Sequence, residues 1–152
     1  MTMKNLIFIL FIASLGLNLN AQDLKESDVP AAVKAGFSSL YPNITNVKWE
    51  MEHGRYEAEF KENSIETSII FEANGTHLQT EVEIPVSLLP QGVSDYAVKN
   101  LAGKKITEGT KITGTGGKIT YEAEIGGRDY IFDENGNFLR IDSDSDDMED
   151  SK

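Results

Sequence analysis

The chain has 152 residues, with 14 lysines and arginines against 25 acidic residues and a formal net charge of −11 at pH 7. Such acidity argues against nucleic-acid binding, which needs basic surface to neutralise phosphates, and against attraction to anionic membranes. Cysteine is absent, which excludes disulfides, a lipid-anchored cysteine, a zinc–thiolate site and a thiol nucleophile.

Residues 1–21 read as a secretory signal peptide. Lys4 precedes an apolar run from Leu6 to Leu17, and Asn18-Leu19-Asn20-Ala21 leads to a cut before Gln22. The run falls short of the roughly 20 apolar residues that a membrane span needs. The expected mature chain, of about 130 residues, therefore has no stable membrane span and resides in the periplasm or outside the cell. Loss of Lys4 leaves it one unit more acidic.

The first helix follows Asp28-Val29-Pro30, where proline suits a first helical turn. Val33, Phe37, Leu40 and Tyr41 fall on one stripe, and Pro42 marks the stop. The period then changes to two. Val47, Trp49 and Met51 alternate with charged residues up to His53-Gly54, and Tyr56, Ala58 and Phe60 continue beyond it. A two-residue turn at His53-Gly54 sets Met51 against Tyr56, Trp49 against Ala58 and Val47 against Phe60. A second hairpin turns at Asn74-Gly75 and pairs Phe71 with Leu78, because Asn-Gly tolerates the positive φ of a type I′ turn.

The second half repeats the plan. A helix follows Leu89-Pro90 with Val93, Ala97 and Leu101 on its stripe and ends at Gly103. Gly126-Gly127 sets Ala123 against Tyr130 and Tyr121 against Phe132, and Asn135-Gly136 pairs Phe132 with Leu139. Tyr56–Glu59 recurs as Tyr121–Glu124, 65 positions later, and Ile70–Gly75 recurs with two changes as Ile131–Gly136, 61 positions later. The reading is an α+β fold: a tandem duplication of a helix followed by a roughly four-stranded antiparallel sheet. The shortened connection lies between Phe60 and Ile70. Residues 22–84 form the first repeat and 85–142 the second. Residues 143–152 are an acidic tail, expected to be disordered, since Asp142 to Asp150 holds six acids in nine positions.

The expected core is the alternate set on the helix side: Val33, Phe37, Val47, Trp49, Tyr56, Ala58, Phe60, Ile69, Phe71 and Leu78. Its second-half counterpart is Val93, Leu101, Ile112, Tyr121, Ala123, Ile125, Tyr130, Phe132, Leu139 and Ile141.

Several of these segments resemble a known family. Val29–Val33, Tyr41-Pro42-Asn43, Asn46–Trp49, Tyr56–Phe60, Lys111-Ile112-Thr113, Gly117–Glu124 and Phe132–Leu139 are similar to the PepSY-like family of secreted, β-lactamase-inhibitor-like proteins. The similarity spans about residues 28–142. It implies a periplasmic or secreted protein of two helix-plus-sheet repeats that resembles the β-lactamase-inhibitor-protein fold and binds or inhibits another protein.

No catalytic or metal constellation stands out. His53 and His77 fall at hairpin ends, where histidine tolerates positive φ. Asp133-x-Asn135-x-Asn137 begins like a calcium loop, but Phe138 stands where the turn glycine belongs, so a hairpin turn explains it better. No cofactor, catalytic residue or metal site is therefore assigned, and the chain is not read as an enzyme.

The polar face of the sheet carries the functional expectation. Alternation sends Glu50, Glu57, Glu59, Glu66, Glu72, Glu81, Glu83, Glu122, Glu124, Asp129 and Asp133 outward, with Ile70 and Ile131 at matching places among them and Phe138 nearby. Apolar islands in a charged face suit a protein partner. Ile70, Ile131, Phe138, Glu57, Glu59, Glu122 and Glu124 are the expected partner-binding residues, and the expected function is a non-enzymatic, inhibitor-like protein-binding module that docks a partner on its acidic sheet face. The alternative is a carrier of a small ligand or cation, with a cavity between helix and sheet lined by Phe37, Trp49 and Tyr56.

Overall fold

Two prolines start the two helices one residue later than their own positions. Pro30 (φ −55°, ψ 142°) and Pro90 (φ −54°, ψ 143°) are extended N-caps, and the helices run Ala31–Leu40 (α1) and Gln91–Asn100 (α2). A computed structural model describes residues 21–142. The expected signal segment, apart from Ala21, and the acidic tail 143–152 lie outside the described residues.

Among the described residues, nine strands follow chain order across a single antiparallel sheet. They are β1 (Ala21–Leu24), β2 (Lys48–Glu52), β3 (Arg55–Glu62), β4 (Ile65–Phe71), β5 (His77–Glu83), β6 (Ile106–Gly114), β7 (Ile119–Ile125), β8 (Asp129–Asp133) and β9 (Phe138–Ile141). Four strands thus follow each helix, but they do not form two separate sheets. β5 pairs with β6 from Gln79↔Gly114 to Glu83↔Thr110 and makes the sheet continuous. β1, which the alternation pattern did not suggest, adds an edge by pairing with β2 from Ala21↔Glu52 to Leu24↔Trp49.

Both helices lie on one side of the sheet. Val33 and Phe37 of α1 pack on Trp49, Ala58, Phe60, Ile69 and Phe71. Val93 and Ala97 of α2 pack on Ala123, Ile125, Tyr130 and Phe132 in a second cluster. Leu40, expected on the α1 stripe, is exposed, because the helix ends there and the chain turns away at Tyr41. Tyr41 and Val47 pack at the margin of the first cluster, and Leu101 and Ile141 at the margin of the second.

The registers Trp49↔Ala58, Met51↔Tyr56, Tyr121↔Phe132 and Ala123↔Tyr130 are as the sequence implied. His53 and Gly54 have φ of 49° and 76°, which fits a type I′ turn. The shortened connection proves to be a change in strand length. Asn63-Ser64 (φ 51° and 69°) and Gly126-Gly127 (65° and 81°) are both two-residue turns with positive φ. The longer hairpin simply carries Lys61-Glu62 and Ile65-Glu66 as an extra pair of rungs on its arms.

The Asn-Gly hairpins depart from expectation by one residue. Only Gly75 and Gly136 have positive φ there. Gly75 N–H donates to the Glu72 carbonyl at 2.8 Å and Gly136 N–H to that of Asp133 at 3.0 Å, so each turn is type I closed by a glycine bulge. Phe71 therefore pairs with His77, and Phe132 with Phe138. A one-residue slip exchanges the faces of a strand. Leu78 and Leu139 leave the expected core, Leu139 being 48% exposed, and Phe138 enters the helix side. A third slip, between Ile106 and Glu108, puts Gly109, Lys111 and Thr113 on the helix side and turns Ile112 to the opposite face.

Candidate functional site

The side of the sheet away from the helices carries most of the charged alternation, and three neighbourhoods form on it. The first lies on β2 and β3. Glu50 and Glu57 stand directly opposite each other, and carboxylate oxygens of Glu50, Glu57 and Glu59 come within 4.8 Å of one another. Like charges so placed repel. Lys48 answers them: its Nζ lies 2.5 Å from Glu50, 3.1 Å from Glu59 and 3.8 Å from Asp23. Burial disfavours the Lys48 charge, but the hydrogen bonds to Glu50 and Glu59 outweigh it and hold the ammonium above its usual range. The Glu50 carboxyl is raised, chiefly by burial, with repulsion from Glu59 adding and Lys48 opposing. The three oxygens have a spacing that suits a cation, and a lysine already occupies that role.

Ile70 forms the second neighbourhood. It is half-buried on β4, opposite Glu57, and lines a shallow pocket of about 60 Å³ with His53, Arg55 and Glu57. Its second-half counterpart behaves differently. Ile131 is on the same face but only 1% exposed, so it is no surface anchor. Its cross-strand neighbours are Glu122 on β7 and Arg140 on β9, whose longer side chains flank it.

That difference defines the third neighbourhood. The face is recessed over β5 to β9, with a cavity of about 230 Å³ lined by Gln79, Glu81, Ile112, Glu122, Ile131 and Arg140. Lys118, Thr120 and Asp142 complete its polar lining. Burial pushes the Glu122 carboxyl up to about 8, and repulsion from Asp129, Glu81 and Asp142 adds to the shift against a smaller opposing effect of Arg140. Glu122 thus carries its proton through most of the neutral range. Gln79 donates to Glu81 at 2.6 Å, and Arg140 pairs with Asp142 at 3.4 Å.

Beyond the recess, Glu124 faces Glu108 and accepts a 2.6 Å hydrogen bond from the Thr107 hydroxyl. Burial raises Glu108, followed by repulsion from Glu124. Of the expected partner-binding residues, the fold thus brings Glu57, Glu59 and Ile70 together, and Glu122 together with Ile131. Glu124 stands apart on the same face. Phe138 does not join them: it lies on the helix side, stacked on Tyr96. The recess was not foreseen, because it depends on the β5–β6 pairing and on the bulge that turns Ile112 outward.

The hairpin polar residues have local partners. The Asp133 carboxylate accepts from the Asn135 and Asn137 amides at 2.9 and 2.8 Å and from the Asn137 side chain at 2.8 Å, which lowers its pKa and closes the hairpin. His77 opens β5 with its Nε2 2.9 Å from the Thr80 hydroxyl. Between α1 and the sheet the Phe37 ring meets Trp49 and Phe60 at centroid distances of 5.5 and 5.3 Å.

No curated protein matches the sequence. Solved structures share the fold. A Bacteroides eggerthii protein described as “putative periplasmic” is 16% identical with a TM-score of 0.67, covering 75% of this chain and 88% of that one. A DUF2874 family protein from Bacteroides uniformis is 20% identical with a TM-score of 0.66, over 74% and 88%. A BLIP-like protein from Bacteroides fragilis is 24% identical with a TM-score of 0.56, over 74% and 85%. The family model described as “putative beta-lactamase-inhibitor-like, PepSY-like” matches residues 17–76 and again 54–140. On those two matches, which together span most of the sequence, the chain belongs to the PepSY-like family.

Proposed function

We propose that this protein is a non-enzymatic binding module of the periplasm or cell exterior, inhibitor-like in the sense of its family, that docks a basic protein surface on the sheet face opposite its helices. The observation that carries this reading is the continuity of that face. Nine strands present Glu50, Glu57, Glu59, Glu81, Glu83, Glu122 and Glu124 on one side, while both helices occupy the other. A broad, predominantly acidic field steers and selects partners of the opposite sign. The family's description and the periplasmic description of a structural relative support the setting.

The same fold supports descent by tandem duplication. Each helix begins after an extended proline, and its first turn touches the Asn-Gly hairpin that ends the same half. A Cβ on Gly75 would lie 2.3 Å from the Ala32 carbonyl oxygen in the first half, and one on Gly92 would lie 2.6 Å from that of Gly136 in the second.

Charge reversal tests the docking reading. The wild type and a Glu57→Lys/Glu59→Lys double variant, each confirmed as folded, would be used to capture proteins from a periplasmic extract with elution by salt. Basic proteins that elute with salt from the wild type and are lost by the variant support it. A captured set unchanged by the reversal overturns it.

A further inference from the structure

The recess over β5 to β9 has a floor and a head group of different chemistry. Ile112 and Ile131 supply apolar floor, and Ile131 is almost entirely withdrawn from solvent. Glu122 stands between them in the strand order, opposite Ile131 and one outward position from Thr120, the partner of Ile112. Among the described residues no hydrogen bond reaches its carboxyl. The volume, about 230 Å³, is below the range of pockets that hold drug-sized ligands, roughly 300 to 1,000 Å³. It suits one side chain.

We propose that this recess is a socket for a lysine side chain of the docked protein, its methylene stem lying on Ile112 and Ile131 and its ammonium pairing with the Glu122 carboxylate. The inference rests on the docking reading above and names the group that the partner inserts. Charged groups face Glu122 from each packed element that has one: Glu81 from β5, Asp129 from β8, Arg140 from β9 with Asp142 just beyond it, and Lys118 from the turn before β7. β6 offers Thr110 and Ile112. Three carboxylates surround Glu122, and Asp142 already engages Arg140. An anion would meet that repulsion, whereas an ammonium replaces the proton that Glu122 otherwise holds. Lysine buries an apolar stem while keeping its charged head paired, which matches the floor and the carboxyl together.

Binding should therefore displace a proton. If only ionised Glu122 binds, a pKa of about 8 makes the apparent affinity rise about 50-fold between pH 6 and pH 8, in proportion to the competent fraction. The probe is Nα-acetyl-lysine N-methylamide, titrated into ¹⁵N-labelled protein at both pH values, with the norleucine analogue as the uncharged control. The lysine probe is expected to shift the amides of Thr120, Glu122 and Ile131 with that pH dependence. The norleucine analogue is expected to bind at least tenfold more weakly at pH 8. Glu122→Gln, which has the shape of the protonated acid and so should fold, is expected to lose both the lysine preference and the pH dependence. Equal binding of the two probes, pH-independent binding, or unchanged binding by Glu122→Gln overturns the socket. The two readings fail separately. A lysine probe that does not bind, together with capture that charge reversal still abolishes, removes the socket and leaves the docking face. A probe that binds, together with capture indifferent to charge reversal, removes the docked protein as its source.

Discussion

The rings of Phe138 and Tyr96 stack with centroids 4.7 Å apart and planes 16° apart, on the helix side of the sheet. Phe138 also reaches Phe132 and Tyr130 at 6.1 and 6.2 Å. Phe138→Ala should therefore lower stability by about 2 kcal/mol, less than a fully buried phenylalanine would lose because the ring is partly exposed. Urea unfolding measures it. An unchanged midpoint would return Phe138 to the role of a surface residue.

Gly92 sets two effects against each other. Alanine is favoured over glycine in a helix by about 1 kcal/mol, but a Cβ there would lie 2.6 Å from the Gly136 carbonyl oxygen, a backbone atom. The steric effect should win, with a loss of about 1 to 3 kcal/mol. A higher melting temperature for Gly92→Ala would show that the hairpin yields instead.

Glu122 makes the fold sensitive to alkali. Its folded pKa of about 8 lies above the ordinary value of 4.5, so between these limits the native state holds more protons than the unfolded state. This residue's contribution to stability consequently declines as pH rises from about 4.5 to about 8 and then levels off. Glu122→Gln should match the wild type near pH 4 and exceed it at pH 9 by roughly 3 to 5 kcal/mol. Denaturant titrations at the two pH values give the comparison. Equal stabilities at pH 9 would contradict it.

The two outer-face isoleucines should separate cleanly. Ile131→Asp places a carboxylate where only 1% of the side chain meets solvent, and should unfold the protein or destabilise it by more than about 3 kcal/mol. Ile70→Asp, on a half-buried position, should leave a cooperative fold weakened by about 1 kcal/mol. Circular dichroism melts of both proteins are sufficient.

Lys48→Met leaves Glu50, Glu57 and Glu59 facing one another. The pairs are partly solvent-screened, so the loss should be only about 1 kcal/mol. It should shrink at high salt and as the pH falls through the carboxylate range. A loss independent of both would point to packing of the lysine stem rather than charge.

Local chemistry makes much of the sheet legible. His53-Gly54 and Gly126-Gly127 admit positive φ at two successive positions, and this alone determines the registers around Trp49 and Tyr121. Asn-Gly is less decisive, because it serves both a two-residue turn and a type I turn followed by a glycine bulge. The alternatives differ by one residue, and that residue decides whether His77 or Leu78, and Phe138 or Leu139, faces the helix. The acidic face is legible from alternation alone. The recess is not, because it depends on strands distant in sequence. Ile131 copies Ile70 in type and in strand position, and each has long polar neighbours on both sides, Glu57 and Gln79 in one case and Glu122 and Arg140 in the other, yet only Ile131 is withdrawn from solvent.

The joint between β5 and β6 has consequences for how the molecule comes apart. On the helix side it carries Thr80 against Thr113 and Val82 against Lys111, and the apolar clusters on either side remain distinct. Backbone hydrogen bonds, with little shared hydrophobic interior, therefore tie the two halves. Cooperative opening of one half need not expose the interior of the other. Amide exchange should resolve two protection levels with their boundary at Gln79–Glu83, so one end of the sheet can yield while the other holds its shape.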